Sequence, residues 1–226
     1  MSHVATKERS FLGLLVWLAL GAIVAVLHSC GPEPTKSVQT AGNTFFPLAV
    51  GNKWVFLCEK ASIGGRLVDT LRIDAKTSRG GSDYYRLRGL WPGFQNGLWV
   101  RRDIGGNLSW TADGMGPEHQ FLLFDAPVGA AWPTGLPVCA DSLSMHDDYA
   151  VVTTPYGRFD GAREIGDVGH CMDAGWDIRL ARGIGPVAYS VMTIAGPNVY
   201  LLTGAVVKDD STTGPTLVSA LSSSPN

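Results

Sequence analysis

Thiols, imidazoles and carboxylates are the side chains here that could do chemistry, and their spacing comes first. The 226-residue chain has four cysteines, Cys30, Cys58, Cys139 and Cys171. In an oxidising compartment the last three would permit one disulfide and one leftover thiol. Cys139 and Cys171 lie in loop-like Gly/Asp/Pro surroundings and are the favoured pair, closing a loop of about 30 residues for roughly 3 to 4 kcal/mol. Cys58 sits in the apolar run Trp54–Leu57, where a buried free cysteine is a common core residue. His170, Cys171 and Asp173 could in principle face a metal. However, the chain has no HExxH, no CxxC and no histidine pair three to five apart, so no metal and no cofactor are expected. Hydrolysis is equally unsupported. There is no Gly-x-Ser-x-Gly elbow, and Ser144, His146, Asp147 and Asp148 are too close in sequence for triad geometry. Glu118, Asp125, Glu164 and Asp177 could pair for acid/base work, but their contexts read as solvated charges. The expectation is a protein that is not an enzyme.

Cys30 is different, because of what precedes it. Lys7 and Arg9 come before an uncharged run of 17 residues, Phe11 to Leu27, followed by His28, Ser29, Cys30 and a Gly-Pro break. A basic start, an apolar middle and a small residue near the end make a secretory signal. The run is short for a span, which needs about 20 apolar residues. Leu27-His28-Ser29-Cys30 resembles the bacterial lipoprotein box, with His28 as its one departure. That resemblance implies cleavage before Cys30, diacylglycerol on its thiol and an added acyl chain such as palmitate. Two or more chains give stable anchoring, where one would be marginal. By the same resemblance Gly31, rather than Asp, after the cysteine favours the outer membrane, at its periplasmic face or on the cell surface.

The whole chain has 18 basic and 20 acidic residues, and loss of residues 1–29 with Lys7, Glu8 and Arg9 leaves a net charge near −3. No basic field exists to recruit nucleic acid. The membrane, reached through the N-terminal lipid, is the implied partner. Residues 30–44, rich in Pro, Ser, Thr and Gly after the cysteine, read as a flexible tether, and residues 209–226 as a disordered tail. Residues 45–208 are long enough for one domain with a sizeable core.

Within that domain helix-period patterns are nearly absent. Short aromatic and β-branched runs at 52–60, 65–75, 83–91, 97–103, 107–113, 148–155, 158–165, 175–181, 185–194 and 198–207 alternate with turn signals such as "DIGGN" at 103–107. This pattern predicts about ten antiparallel strands in an all-β meandering barrel or sandwich. Residues 125–147, with three prolines, read as a long loop. Trp91 and Trp132, each beside a proline, are expected to be exposed, and Trp91, Phe94 and Trp132 are the candidate ligand-facing aromatics of the surface at 91–97 and 125–147.

"FFPLAVGNKWVF" (45–56), "YYRLRG", "LWVRRDIGGN", "LLFDAPVGAAW", "VVTTPYGRF" and "RLARGIGPVAY" together resemble a group of uncharacterised bacterial secreted lipoproteins. Domains of that group open with Pro-Leu-x-x-Gly-Asn-x-Trp and close with a Gly-[Ile/Val]-Gly-x-Val strand. The likeness implies a meandering antiparallel barrel-like domain and no established reaction. Physically the motifs read as structural: Gly51-Asn52 suits a turn with positive φ that frees Trp54 to plug the core, and Gly183 and Gly185 suit a bend. Two functions follow as expectations. One is a binding module for a small apolar ligand, a glycan or an envelope protein; the other is a structural or assembly component with a filled barrel. An envelope hydrolase is a distant third.

Overall fold

A computed structural model describes residues 43–59, 64–89, 96–136, 142–168 and 175–208. The signal segment, Cys30, most of the tether, Trp91, Phe94, Cys139, His170, Cys171 and the tail lie outside the described residues. Among those described, no helix occurs. Twelve strands follow one another: β1 Lys53–Cys58, β2 Leu67–Arg79, β3 Ser82–Arg88, β4 Leu98–Arg102, β5 Leu108–Thr111, β6 His119–Leu122, β7 Ala131–Pro133, β8 Ser142–Thr154, β9 Gly157–Asp167, β10 Trp176–Ala181, β11 Gly185–Thr193 and β12 Gly196–Val206.

The period-2 pattern of side chains decides which face each strand buries. In β1, Trp54, Phe56 and Cys58 point inward and alternate with Lys53, Val55 and Leu57. In β2, Leu71 and Ile73 enter the core while Val68 stays on the exposed face. Trp54, Tyr189, Phe46, Phe56, Phe121, Leu48 and Leu71 are among the largest completely buried side chains, and they belong to one continuous cluster that fills the interior.

Every consecutive pair of strands is hydrogen-bonded except β6 and β7, and β1 pairs with β12. The result is an antiparallel meander rolled into a nearly closed barrel. Its open seam, between the short strands β6 and β7, is bridged by side chains. The Trp132 indole N–H donates to the Phe121 carbonyl at 2.9 Å, and the Trp110 indole N–H to the Thr134 carbonyl at 2.7 Å. Pro133 cannot donate to a ladder, which suits it to an edge strand.

This arrangement corrects two expectations. Trp132 is not an exposed aromatic: it is 4% exposed, and its ring faces the core across the seam. The segment 125–147 is not one long loop either, because it carries β7 and the start of β8. The Ala-Trp-Pro triplet has no strand signature of its own and becomes a strand only by pairing with Ser142–Ser144. We expect Trp132→Phe, which keeps the ring and removes the N–H, to lose the hydrogen bond that bridges the seam. The cost should be about 1–2 kcal/mol, read as a lower urea midpoint with β6 and β7 amides the first to lose hydrogen-exchange protection.

In an antiparallel meander alternate turns share an end. The lead-in to β1, the β4–β5 turn, the β6–β7 link, the β10–β11 turn and the exit from β12 therefore lie together. Residues 43–52 cross that end and close it. Phe45, Phe46 and Leu48 are buried there, the Gly183 N–H donates to the Thr44 carbonyl at 2.7 Å, and the Arg102 Nη2 donates to the Phe46 carbonyl at 2.9 Å. Gly51-Asn52 and Gly183–Gly185 also meet at this end. Gly51 has φ +94° and its N–H donates to the Ile73 carbonyl at 2.9 Å. Trp54 donates from its indole to the Ile184 carbonyl at 2.7 Å, and a Cβ on Gly185, at φ +96°, would stand 3.0 Å from the Trp54 ring. The bend at Gly185 thus leaves room for this indole, whereas a Cβ on Gly51 would meet Lys208 Nζ at 3.1 Å.

Candidate binding cleft

At the closed end lies a cleft of about 520 Å³, within the usual size range of small-ligand sites. Its lining comes from five places in the chain. Asn43, Thr44 and Phe45 lead into β1, Arg102 through Gly106 form the β4–β5 turn, Phe124 and Asp125 follow β6, Arg163 lies on β9 and Arg182 follows β10. Asp103 holds the turn, accepting from the Asn107 backbone N–H at 2.9 Å, while the Asn107 Oδ1 accepts the Phe124 N–H at 2.7 Å and so ties the turn to the segment that follows β6. The sequence reading placed a turn at 103–107, and the structure has it there.

Phe45 is the centre of the cleft. Its ring stacks on Phe124 at 5.4 Å, and two guanidinium groups lie over it, Arg182 at 4.2 Å and Arg163 at 4.8 Å from the centroid. Guanidinium groups favour such aromatic faces. Arg182 Nη1 also donates to the Asn43 carbonyl at 3.0 Å. Arg163 is less well served: its Nε and Nη1 are buried without a hydrogen-bond partner, as is the Thr44 Oγ1. Burial, and secondarily the neighbouring cation Arg182, hold the Arg163 guanidinium below the usual arginine range, with only partial relief from Asp148 and Asp125.

Of the segment singled out at 125–147, only its first residue, Asp125, lines this cleft. Arg102, Arg163, Arg182 and Phe45 were not anticipated as site residues. Arg102 and Arg163 stand in strand-like contexts and Arg182 in a turn, where each reads as a solvated charge. The available signal was weak: Arg102 and Arg182 both immediately precede turn residues, and a closed meander brings those two turns to one end.

The other candidate residues are engaged elsewhere. Arg101 holds the Glu118 carboxyl below its usual range, and the hydrogen bond to that carboxylate raises the Tyr84 phenol. Arg179 pairs with Glu164 at 2.8 Å, and the Ser190 hydroxyl donates to Asp177. Ser144 is buried while His146 is exposed. His119 stacks on Trp110 at 5.1 Å, and Cys58 is buried as a free thiol. Burial raises the Asp167 carboxyl. Among the described residues, no group of three or more His, Cys, Asp and Glu side chains is placed to hold a metal ion. A second concavity of about 470 Å³, lined by Leu57, Glu59, Pro155, Pro197, Val199 and Leu201, lies beside β1 and β12 and is mainly apolar.

No protein-family model and no curated protein matches the chain. Two solved structures are similar to it. One is a Bacteroides fragilis protein provisionally described as exported and of YmcC-like fold, at 14% identity and TM-score 0.42, covering 72% of this chain and 99% of that one. The other is a Parabacteroides distasonis protein provisionally described as a lipoprotein, at 14% identity and TM-score 0.35, covering 73% and 99%.

Proposed function

We propose that this chain is a lipid-anchored binding protein of the bacterial envelope, held at the outer membrane through Cys30, whose β domain binds a ligand or partner and does no catalysis. The observation that carries the binding reading is the cleft around Phe45, where polar groups from five stretches of chain converge on an aromatic floor. The filled interior leaves no room for an apolar ligand in the lumen, the feature expected of an assembly component, so the binding reading stands on the cleft at the closed end alone. The non-catalytic reading is supported by the pairing of Glu118 and Glu164 with arginines, which leaves neither carboxylate poised for proton transfer. The anchor reading rests on Leu27-His28-Ser29-Cys30.

The apolar hollow beside β1 and β12 favours a second reading, an assembly component that meets an envelope partner on its outer surface. Native mass spectrometry of the protein extracted from its own host separates the two. A retained small molecule, or a partner whose footprint covers the cleft around Phe45, supports the first, and a partner whose footprint covers the hollow beside β1 and β12 supports the second. For the anchor, Cys30→Ala should abolish labelling by an alkyne fatty acid and leave residues 1–29 attached. Continued acylation of that variant would overturn the lipoprotein reading.

A further inference from the structure

The geometry points to an oxyanion site in the cleft around Phe45, built for a phosphate group held by Arg163, Arg182 and the Thr44 hydroxyl. The inference deepens the binding reading above and rests on it. Three observations converge. First, Arg163 Nε and Nη1 and Thr44 Oγ1 are buried polar atoms without partners, and both residues line this one cleft. Buried donors left unmet are costly, and native proteins rarely keep several in one place without a group that satisfies them. Second, Arg163 and Arg182 share one aromatic ring, so their guanidinium carbons are at most about 9 Å apart. Two cations over one ring make its surroundings positive, which favours an anion beside them. The carboxylates on the lining do little to fill that role: Asp103 is committed to its turn, and Asp125 acts on Arg163 only as a minor charge. Third, the donors arrive from separate elements, β9, the β10–β11 turn and the lead-in to β1. A single arginine fork saturates a planar carboxylate, whereas donors converging from several directions suit the tetrahedral oxygens of a phosphate.

Such a phosphate could be free in solution or carried on a lipid headgroup, and the test separates the two. Asn43 and Thr44 line the cleft and lie thirteen and fourteen residues after Cys30. A chain of that length spans at most about 45 Å, so acylation of Cys30 would set that distance as the upper limit between the lipid and the cleft.

The test uses the full chain, extracted and reconstituted, with hydrogen exchange at Thr44, Phe45 and 103–107 as the readout. Inorganic phosphate is titrated against the protein in detergent micelles. In parallel, the protein is placed in nanodiscs of phosphatidylglycerol or of a phosphate-free galactolipid. Saturable protection by inorganic phosphate in micelles identifies a free phosphate as ligand. Protection in phosphatidylglycerol alone, without a response to inorganic phosphate, identifies the headgroup. In either case Arg163→Gln and Arg182→Gln should weaken the response by about tenfold or more, while Arg158→Gln, a half-exposed pair with Asp160 on the surface, should leave it unchanged. Thermal unfolding of each variant confirms that it is folded. Protection in neither arm, or a response identical in a folded Arg163→Gln, overturns the oxyanion site. A neutral glycan or a protein that co-purifies and is retained equally by Arg163→Gln also overturns it while leaving the binding reading intact. Absence of any retained ligand or partner from the native extract fails that broader reading instead.

Discussion

Trp54→Ala is expected to destabilise the domain by about 4 to 6 kcal/mol, the largest effect of any single substitution considered. Truncating a buried tryptophan costs about 3–5 kcal/mol in lost burial and residual cavity. Trp54 is completely buried, packs against Phe46 at 5.5 Å and sits where the lead-in segment closes the barrel. Collapse around the gap is limited, because β1 is bonded on both sides, to β2 and to β12. The indole also donates to the Ile184 carbonyl, whose loss adds about 1 kcal/mol. A typical domain holds about 5–15 kcal/mol in total, so the variant should be largely unfolded at moderate urea. Trp54→Phe retains most of the bulk and should recover more than half of the loss. Gly185→Ala, which thrusts a methyl at the same ring, should be less damaging in the Trp54→Ala background than in the native one. That coupling measures the contact directly. A Trp54→Ala urea midpoint implying a loss below about 2 kcal/mol would show that the two motifs do not hold this end together.

The second large effect is expected at Asn52. Its side chain is completely buried and makes three bonds: Nδ2 donates to the Pro47 carbonyl at 3.0 Å and to the Lys208 carbonyl at 3.1 Å, and Oδ1 accepts the Lys208 N–H at 2.7 Å. In effect the amide imitates a rung of the ladder and ties the start of the domain to its end. Asn52→Ala strands those partners. The Pro47 carbonyl faces the interior, while Lys208 is half-exposed and can recruit water, so about 3 kcal/mol is expected rather than the sum of three full penalties. Hydrogen exchange should show the Lys208 amide losing protection before the global transition. Asn52→Asp provides a sign test. A carboxylate facing two carbonyls has its folded-state pKa raised, so its stability is present below the unfolded pKa of about 3.9 and lost as pH rises through the folded value. If Asn52→Asp instead gains more stability than the unsubstituted protein on raising the pH from 4 to 7, the bonding pattern assigned to this amide is wrong.

Much of the fold is legible residue by residue. Alternation in Lys53–Cys58 states which side chains share a face, and Gly51-Asn52 states where the chain must turn before Trp54. These are local facts of backbone geometry. The strands that escaped notice, His119–Leu122 and Ala131–Pro133, are four and three residues long. Short edge segments carry too few positions for alternation to register. Trp132 illustrates the same limit. A tryptophan beside a proline looks like a loop residue until a second edge, Phe121 and its carbonyl, is brought opposite it.

The cleft was illegible for a related reason. Arg102, Arg163 and Arg182 are far apart in the chain; alternation says of the first two only that they leave the apolar face of their strands, and Arg182 lies in a turn. Whether it then meets water or another cation depends on which strand ends coincide. The sequence by itself determined the all-β class, the antiparallel meander and the turns that Gly51 and Gly185 require, because those follow from torsional preference and a two-residue period. Only the tertiary structure decided that β1 closes onto β12, that indoles bridge the β6–β7 seam, and that Arg163 and Arg182 gather over Phe45. These are long-range pairings: their energy arises between segments that have no local reason to meet and exists only once the barrel has rolled shut.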